Sequence, residues 1–457
     1  MTQTLTEYYR VPESLIGRIS VPNLSGPAGF FSLGPHAICY GQCESGVSPV
    51  PKDLAGYDAS GRISVVDSTV CLPFDPQQVV DNLRRERYES KLTPQKDRFV
   101  SQQLVRKCYY AVRELLPVSI RRHMQRAYFS DWKSRPFPAW PVDFSVDTLH
   151  EKLLRFSMEA SGVQRMPFIW FWPQGATSCL IMTHDVETAE GRDFTSQLME
   201  IDESYGIRAS FQVIPEKRYE VSDEYVREIK RRQFEFNIHD LNHDGQLYQD
   251  RQEFLRRAAA INAYVRKYDA RGFRAGAMYR NLDWYDAFEF SYDMSVPNVA
   301  HLEPKRGGCC TVMPFFVGRI LELPLTAAQD YSLFHILNDY SIDVWRKQLA
   351  MIRQRNGLMS FIAHPDYLIE RRARAVYEAL LDHLRQMITH EHVWAALPCE
   401  VDQWWRARSQ MKLVEKGGHW EIEGPEKERA QIAYAVIEGD RLAYEGPAVA
   451  AHEVNHR

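Results

Sequence analysis

The 457-residue sequence has no long apolar run, no export-type start and no excess of basic charge. No stretch approaches the roughly 20 apolar residues that span a bilayer, so we expect no transmembrane segment. Residues 1–7 lack a basic start followed by an apolar stretch, which predicts no signal peptide and a cytoplasmic location. The formal net charge of −4 argues against a nucleic-acid partner, because proteins that bind nucleic acid carry a basic surface.

Cysteine is scarce, and its spacing is irregular. The eight cysteines contain no Cys-x-x-Cys pair, which predicts reduced thiols rather than a disulfide framework. Cys309 and Cys310 are adjacent, but no further cysteine stands near them, so a zinc or redox role is the less favoured interpretation. The hydrophobic fraction of 45% and the charged fraction of 25% are typical of a globular protein.

Three zones of the chain differ in composition, and the length allows at least two structural units. Residues 1–174 are predicted to form an N-terminal accessory region, with short strands first and mostly helical patterns after about residue 82. Residues 175–408 alternate short β-type runs with longer amphipathic stretches. Residues 409–457 are predicted to form a small β-rich C-terminal extension.

The regular alternation in the central zone predicts its fold. The predicted strands are 179–182, 209–214, 234–238, 272–274, 320–323, 358–362 and 393–397. The predicted helices between them include 221–232, 249–268, 342–355 and 371–388. Strands that alternate with helices imply parallel strands joined by crossovers. We therefore predict an α/β fold, namely an irregular (β/α) barrel of about seven strands.

Polar side chains of several kinds follow four of the predicted strands. These are Thr183-His184-Asp185-Val186-Glu187, the stretch from His239 to Asp244, Arg274-Ala275-Gly276, and His364-Pro365-Asp366. In a parallel barrel the carboxyl ends of the strands meet at one rim, where the chemistry gathers. Acidic, imidazole and guanidinium groups are therefore expected to converge on one site.

The histidine pair is the first candidate for a metal site. His239 and His243 are four residues apart, a spacing that in a helical turn places both imidazoles on one side. In isolation the pair is better interpreted as two surface or capping histidines. Its position after a buried strand, flanked by Asp240 and Asp244 that can orient the rings, favours the metal site instead.

Two carboxylates accompany the histidines. Asp185 and Glu187 alternate along an extended stretch, so both side chains can face the same side. One of them can hold a divalent metal while the other acts as general base. Two histidines and one carboxylate leave metal positions open for water and substrate. The alternative interpretation is that Asp185 caps the helix that follows.

Four further residues are candidates at the same rim. His364 is a candidate general acid for a leaving amine, although a core histidine is the plainer interpretation. Arg274 is predicted to bind a substrate anion or to tune a carboxylate, with a structural ion pair as the alternative. Tyr279 and Trp284 can stack on sugar rings, and at helical spacing they can equally be packing residues.

The order of these motifs resembles the polysaccharide deacetylase family, the NodB-homology group or carbohydrate esterase family 4. The resemblance covers about residues 178–400 and rests on Thr183-His184-Asp185-Val186-Glu187, His239-Asp240-Leu241-Asn242-His243, Phe273-Arg274-Ala275-Gly276 and His364-Pro365-Asp366-Tyr367. It implies an irregular (β/α) barrel, a divalent metal such as Zn²⁺, and hydrolysis of an N-acetyl or O-acetyl group on a sugar.

The resemblance also implies residue roles. Asp185 would be the base and Glu187 a metal ligand with the two histidines, and an exchange of these two roles stays open. His364 would be the acid, and the backbone N–H of Ala277 would face the oxyanion. Val186 separates two carboxylates that are often adjacent in the family. The usual proline after the arginine is absent, and no clean fourth motif is found.

We therefore predict a metal-dependent carbohydrate deacetylase that acts on an acetylated sugar or polysaccharide precursor in surface-glycan biosynthesis. One alternative is a hydrolase of a linear C–N amide bond in a small molecule. Another is a non-catalytic carbohydrate-binding member of the family, and a third is an unrelated metal-dependent glycosidase or isomerase. The sequence leaves the oligomeric state open.

Overall fold

The computed structural model describes residues 3–35, 37–52, 54–92 and 118–446. Part of the helical pattern predicted between residues 82 and 160 lies outside these ranges. The described helices of the N-terminal region are α1 (Gln3–Tyr9), α2 (Pro76–Arg84), α3 (Glu89–Leu92), α4 (Val118–Phe129) and α5 (Ser145–Ser161). Its strands are β1 (Arg18–Ser20), β2 (Gly29–Ser32), β3 (Ile38–Gly41), β4 (Ser64–Val66), β5 (Thr69–Cys71) and β6 (Arg165–Ile169).

The rest of the chain alternates strands and helices before it ends in strands. The strands are β7 (Ser178–Val186), β8 (Ala209–Val213), β9 (Glu235–His239), β10 (Gly272–Arg274), β11 (Tyr292–Asp293), β12 (Phe315–Val317), β13 (Ile320–Glu322), β14 (Leu358–Ala363), β15 (Val393–Ala395), β16 (Lys412–Lys416), β17 (His419–Glu423), β18 (Ile432–Glu438) and β19 (Arg441–Glu445). The helices are α6 (Ala189–Ser204), α7 (Asp223–Arg231), α8 (Arg251–Tyr268), α9 (Asp343–Arg353), α10 (Pro365–Leu368), α11 (Arg371–His390) and α12 (Pro398–Gln410).

A curled, mostly parallel sheet forms the centre of the protein. Among the described residues it has nine strands in the order β12-β13-β11-β10-β9-β8-β7-β14, and β15 also pairs with β7. Strands β7 to β11 and β13 to β15 run parallel, and β12 is antiparallel to β13. The α/β barrel prediction is confirmed. The short strands β11 and β12 add to the seven that the sequence predicts.

The first strand of the barrel is buried along its whole length. All nine residues of β7 are buried, which fits a parallel strand covered on both faces. Behind it, the buried His184 contacts Asp202 of α6 through Nε2 at 2.9 Å, and the Tyr377 hydroxyl of α11 donates to the same carboxylate at 2.7 Å. These contacts fix two outer helices against the strand that carries Asp185.

The barrel closes irregularly between β14 and the segments around β12 and β13. The N–H of Leu358 donates to the Val312 carbonyl at 2.8 Å, and that of Ala327 donates to the Ser360 carbonyl at 3.1 Å. The Thr326 hydroxyl oxygen accepts from the N–H of Ser360 at 2.9 Å. A few isolated hydrogen bonds therefore close the barrel at this point, where a regular barrel would have a further pair of hydrogen-bonded strands.

The end of the chain returns to the N-terminal region. β18 pairs in antiparallel fashion with β6, and β19 pairs with β18. The predicted C-terminal strands are present, and β16 and β17 form a separate hairpin. One apolar cluster contains buried residues from the N-terminal helices, the sheet and β18. The domain limits drawn from composition stay a prediction.

The observed helices lie close to the predicted ones. Asp250 begins α8 by accepting a hydrogen bond from the N–H of Glu253 at 2.9 Å, and Ser222 begins α7 in the same way. Within the ranges that the structure describes, each helix is too short or too polar to cross a lipid bilayer.

Candidate active site

Asp185 lies near the carboxyl end of β7 with its carboxylate held from behind. Nη1 of Arg274, the last residue of β10, donates to Oδ1 of Asp185 at 2.6 Å and to the Thr183 hydroxyl at 2.8 Å. Burial alone would raise the pKa of Asp185, but the adjacent guanidinium holds that pKa below its usual value. The carboxylate is thus kept ionised and able to accept a proton. The cap of α6 is Thr188, so Asp185 is not the helix cap.

Glu187, His239 and His243 bring three metal-ligating atoms together. Oε1 of Glu187 lies 3.0 Å from Nε2 of His243 and 3.7 Å from Nε2 of His239. In the described part of the chain these three residues form a group whose ligand atoms all lie within 4.8 Å of one another. The three are an oxygen and two imidazole nitrogens, the donor set that suits zinc and similar divalent ions.

The histidine nitrogens show that this group fits a metal ion. Nε2 of His239 and Nε2 of His243 are both buried, and neither makes a hydrogen bond of acceptable geometry, although Oε1 of Glu187 lies close to both. Nδ1 of His239 contacts the Arg274 carbonyl at 3.1 Å, which fixes the ring and leaves Nε2 free as a ligand. Buried polar nitrogens without a partner are costly, and coordination would satisfy both of them.

The turn between the two histidines is not helical. His239 ends β9, and the backbone then bends, with φ of 58° at Asp240 and 54° at His243. The prediction that a helical turn joins His239 and His243 was therefore wrong. The two rings nevertheless lie close together, with centroids 4.9 Å apart. Asp244 does not orient a ring either, because its carboxylate binds Arg257 at 2.6 Å and 2.9 Å.

His364 lies on the other side of Glu187 and is backed by Asp330. Its Nδ1 is 2.6 Å from Oδ1 of Asp330, and its backbone N–H donates to Oδ2 at 2.7 Å. Its Nε2 lies 3.6 Å from Oε1 of Glu187. Burial would lower the pKa of His364, but the Asp330 carboxylate and Glu187 raise it well above its usual value. A ring that holds its proton in this way suits a general acid.

The remaining candidates occupy different positions. Arg274 is fully buried behind Asp185, so the structure favours the tuning role over direct contact with a substrate anion. Trp284 packs 5.1 Å from the Phe254 ring, with Arg251 over its face, so the structure gives it a packing role. Tyr279 is half-buried beside the turn after β10, and its contact with substrate stays a prediction.

Ala277 lies in a strained turn next to His243. Its φ is 53° and its ψ is 26°, a left-handed conformation that is uncommon for residues other than glycine. The hydrogen bonds of the turn come from the N–H groups of Met278 and Tyr279, which donate to Ala275 and Gly276. The Ala277 N–H takes no part in them, which keeps the predicted oxyanion role open.

A buried ion pair ties this turn to the N-terminal region. Nε of Arg280 donates to the carboxylate of Glu86 at 2.8 Å, and its Nη1 donates to the Met278 carbonyl at 2.7 Å. Lys305 lies 3.4 Å from the same carboxylate, which also accepts from the N–H of Gly308 at 2.6 Å. A residue about 190 positions upstream therefore supports the turn that carries Ala277.

The comparisons with known proteins find similarity in solved structures alone. No protein-family model and no curated protein matches the sequence. A Mycobacterium smegmatis protein named a polysaccharide deacetylase has 18% identity and a TM-score of 0.43, with 54% of this chain and 96% of that chain covered. A Pseudomonas aeruginosa PAO1 protein with the same kind of name has 12% identity and a TM-score of 0.42, with 51% and 93% covered.

A third similar structure is Puue allantoinase, with 10% identity and a TM-score of 0.41, covering 51% of this chain and 92% of that chain. The matched proteins are named deacetylases and an allantoinase. These likenesses are too distant to carry an argument about this chain.

Asp330 and Glu86 are the residues of the site region that the sequence did not single out. No local sequence pattern connects Asp330 to His364, 34 residues away. The sequence shows only that Asp330 lies between a predicted strand and a predicted helix. Glu86 carries no signal, because its partner Arg280 is far away in the chain.

Gly276 offers a test of the metal group. A Cβ at this position would lie 2.6 Å from Oδ2 of Asp240 and 2.9 Å from Cδ2 of His243. We expect Gly276→Ala to displace the His243 ring and to weaken zinc binding about 10- to 100-fold, as changes beside metal ligands commonly do. Zinc titration against a competing chelator measures the effect. Gly61→Ala is the control, since its Cβ would meet nothing within 4 Å, and equal affinities for the two variants would contradict the prediction.

Proposed function

We propose that this protein is a metal-dependent deacetylase that hydrolyses an N-acetyl or O-acetyl group of a sugar or polysaccharide precursor. The observation that carries the proposal is the arrangement of two differently paired groups around one ligand group: the Asp185 carboxylate bound to Arg274, and the His364 ring bound to Asp330. Arg274 lowers the pKa of Asp185, and Asp330 raises the pKa of His364. An acid and a base on either side of a metal group are the parts that amide or ester hydrolysis needs.

Glu187, His239 and His243 would hold the divalent ion, most simply Zn²⁺. When bound, such an ion acts as a Lewis acid toward a carbonyl oxygen and makes water more acidic. Nε2 of His239 and Nε2 of His243 are the nitrogens that face it, and no other partner competes for them. Both ligand rings are buried, so the site excludes bulk water on the protein side.

The chain's own groups then account for the proton movements. Oδ2 of Asp185 is 3.7 Å from Nε2 of His239, so the carboxylate faces the ligand group and can take a proton from the attacking water. His364 presents Nε2 to the same group and can give its proton to the departing amine or alcohol. The N–H of Ala277 would donate to the oxyanion that forms as the acetyl carbonyl is attacked.

The substrate class and the cellular setting are part of the same proposal. The motif resemblance supports an acetylated sugar as substrate. A sugar or polysaccharide precursor of surface-glycan biosynthesis is the form of that substrate that we propose. The large N-terminal region that supports the catalytic turn through Glu86 fits an enzyme with a specialised substrate.

Acetate release tests the proposal. We expect the purified protein to hold about one divalent ion per chain and to release acetate from at least one N-acetylated or O-acetylated sugar. A chelator should abolish release, and added Zn²⁺ should restore it. A linear amide without an acetyl group, such as propionamide, is the comparison substrate. No acetate from a broad panel of acetylated sugars, or ammonia release from the linear amide alone, would rule the deacetylase out.

A further inference from the structure

A cavity lies at the opposite end of the sheet from the candidate active site. Its volume is about 400 Å³, within the usual range of small-molecule pockets. Its walls include α1, α2, α12 and the turn after β12, where Val317 and Gly318 stand at the amino ends of the parallel strands. The residues of the metal group all follow the carboxyl ends of the strands. The cavity is therefore separate from the site described above.

Three arginines line this cavity without a carboxylate partner. Arg408 is 1% exposed, and its guanidinium donates to the carbonyls of Trp170, Tyr8 and Ile169 at 2.7–3.0 Å. Arg10 donates to the Met411 carbonyl at 2.8 Å and 3.2 Å.

Arg84 makes no hydrogen bond to any residue that the structure describes, and its buried Nε lacks a partner. Its guanidinium lies 5.1 Å from the centre of the Phe315 ring. Across the described ranges no ion pair joins any of the three guanidinium groups to a carboxylate.

The positive charge of the cavity wall is only partly compensated, because four arginines line the cavity and two carboxylates, those of Glu7 and Asp81, stand against them. Burial lowers the pKa of Arg84 and Arg10, and it lowers the pKa of Arg408 to about 9. The acidic Asp81 also lines the cavity, but its carboxylate pairs with Arg85 at 2.6 Å. A surplus of confined positive charge is costly to keep, and a bound anion would lower that cost.

The shape of the cavity indicates what else the anion carries. One water occupies about 30 Å³ of liquid, so the cavity holds far more than an inorganic phosphate. Its walls include parts of the rings of Tyr8, Phe315 and Trp405, which add apolar surface to the cavity. Tyr8 is itself stacked on His150 with centroids 4.1 Å apart, which keeps its ring fixed. Guanidinium forks suit phosphate groups, and aromatic faces suit a sugar or a base.

We propose that this cavity is a second ligand site, which binds a small phosphorylated compound that carries a ring. Arg84, Arg10 and Arg408 bind the phosphate, and the aromatic walls contact the ring. A sugar phosphate and a nucleotide share this chemistry. The site does not depend on the deacetylase activity, because none of its residues touches the metal group.

Calorimetric titration of the full chain tests this site with glucose 1-phosphate, UDP and pyrophosphate as probes. We expect at least one of the two ring-bearing phosphates to bind more tightly than pyrophosphate, with an affinity that falls as salt is added. Tighter UDP binding identifies a nucleotide site, and tighter glucose 1-phosphate binding identifies a sugar phosphate site. If none of the three binds at millimolar concentration, or pyrophosphate binds as tightly as both others, the proposal fails.

Variants at one arginine separate this cavity from the metal site. We expect Arg84→Gln to weaken binding about tenfold or more, since a charge-assisted contact is lost. Arg84→Lys keeps the positive charge but loses the two-pronged guanidinium group. Its affinity for the probe should lie between those of Arg84→Gln and the native protein. Arg256→Gln is the control, because Arg256 is exposed on α8 and pairs with Glu253. If Arg84→Gln binds the probe as tightly as the native protein does, the probe binds elsewhere and the proposal is wrong.

Discussion

Replacing Asp185 with asparagine should lower kcat for acetate release about 10²- to 10⁴-fold, the usual contribution of a general base. The amide keeps the size of the side chain but cannot accept the proton from the attacking water. Asp185 is not part of the group formed by Glu187, His239 and His243, so the variant should still bind one divalent ion. Steady-state kinetics together with metal analysis of the same preparation measures both effects.

Glu187→Gln is the matched control for the division of roles between the two carboxylates. Oε1 of Glu187 lies 3.0 Å from Nε2 of His243, whereas Asp185 is bound to Arg274 at 2.6 Å. We therefore expect Glu187→Gln to lose metal and Asp185→Asn to keep it. The reverse pattern would show that the roles are exchanged. A change of less than tenfold in kcat for Asp185→Asn would contradict its role as base.

The sequence predicted the barrel and the convergence at its rim because both depend on short-range patterns. Each strand is a run of apolar residues, and each polar candidate directly follows one of these runs. Parallel pairing places His239 beside Arg274 on neighbouring strands and brings Asp185 to the same end of the sheet, with β8 between β7 and β9. The metal group could be named before the structure because its members sit at the ends of recognisable strands.

The contacts that set the chemistry were harder to predict because they join distant parts of the chain. The partner of His364 is Asp330, in an irregular stretch with no motif, and the pairing of β18 with β6 spans more than 260 residues. Local pattern was also misleading at His243, since the four-residue spacing fits a helix and the backbone bends instead. Side-chain partners outside regular elements have no periodicity, so only the folded structure reveals them.

Glu86→Ala is expected to give the largest loss of stability among the changes considered. Glu86 and Arg280 are both almost fully buried, and Lys305 approaches the same carboxylate. Burial would raise the pKa of Glu86, but Arg280 and Lys305 hold it below its usual value, so the carboxylate is charged. Removing it leaves the Arg280 cation buried without a counter-charge, which typically costs about 3–5 kcal/mol. The midpoint of urea denaturation measures the loss.

Glu86→Ala should also disturb the turn that carries Ala277. Arg280, the partner of Glu86, donates to the carbonyl of Met278, which follows Ala277 directly. We expect Glu86→Ala to lower kcat for acetate release more than it raises KM, while the metal content is retained. Glu86→Asp, which keeps the charge, should recover part of both losses. Glu428→Ala is the control, since Glu428 is exposed and lies in the C-terminal extension. If stability falls but kcat does not, the N-terminal region supports the fold without positioning the turn.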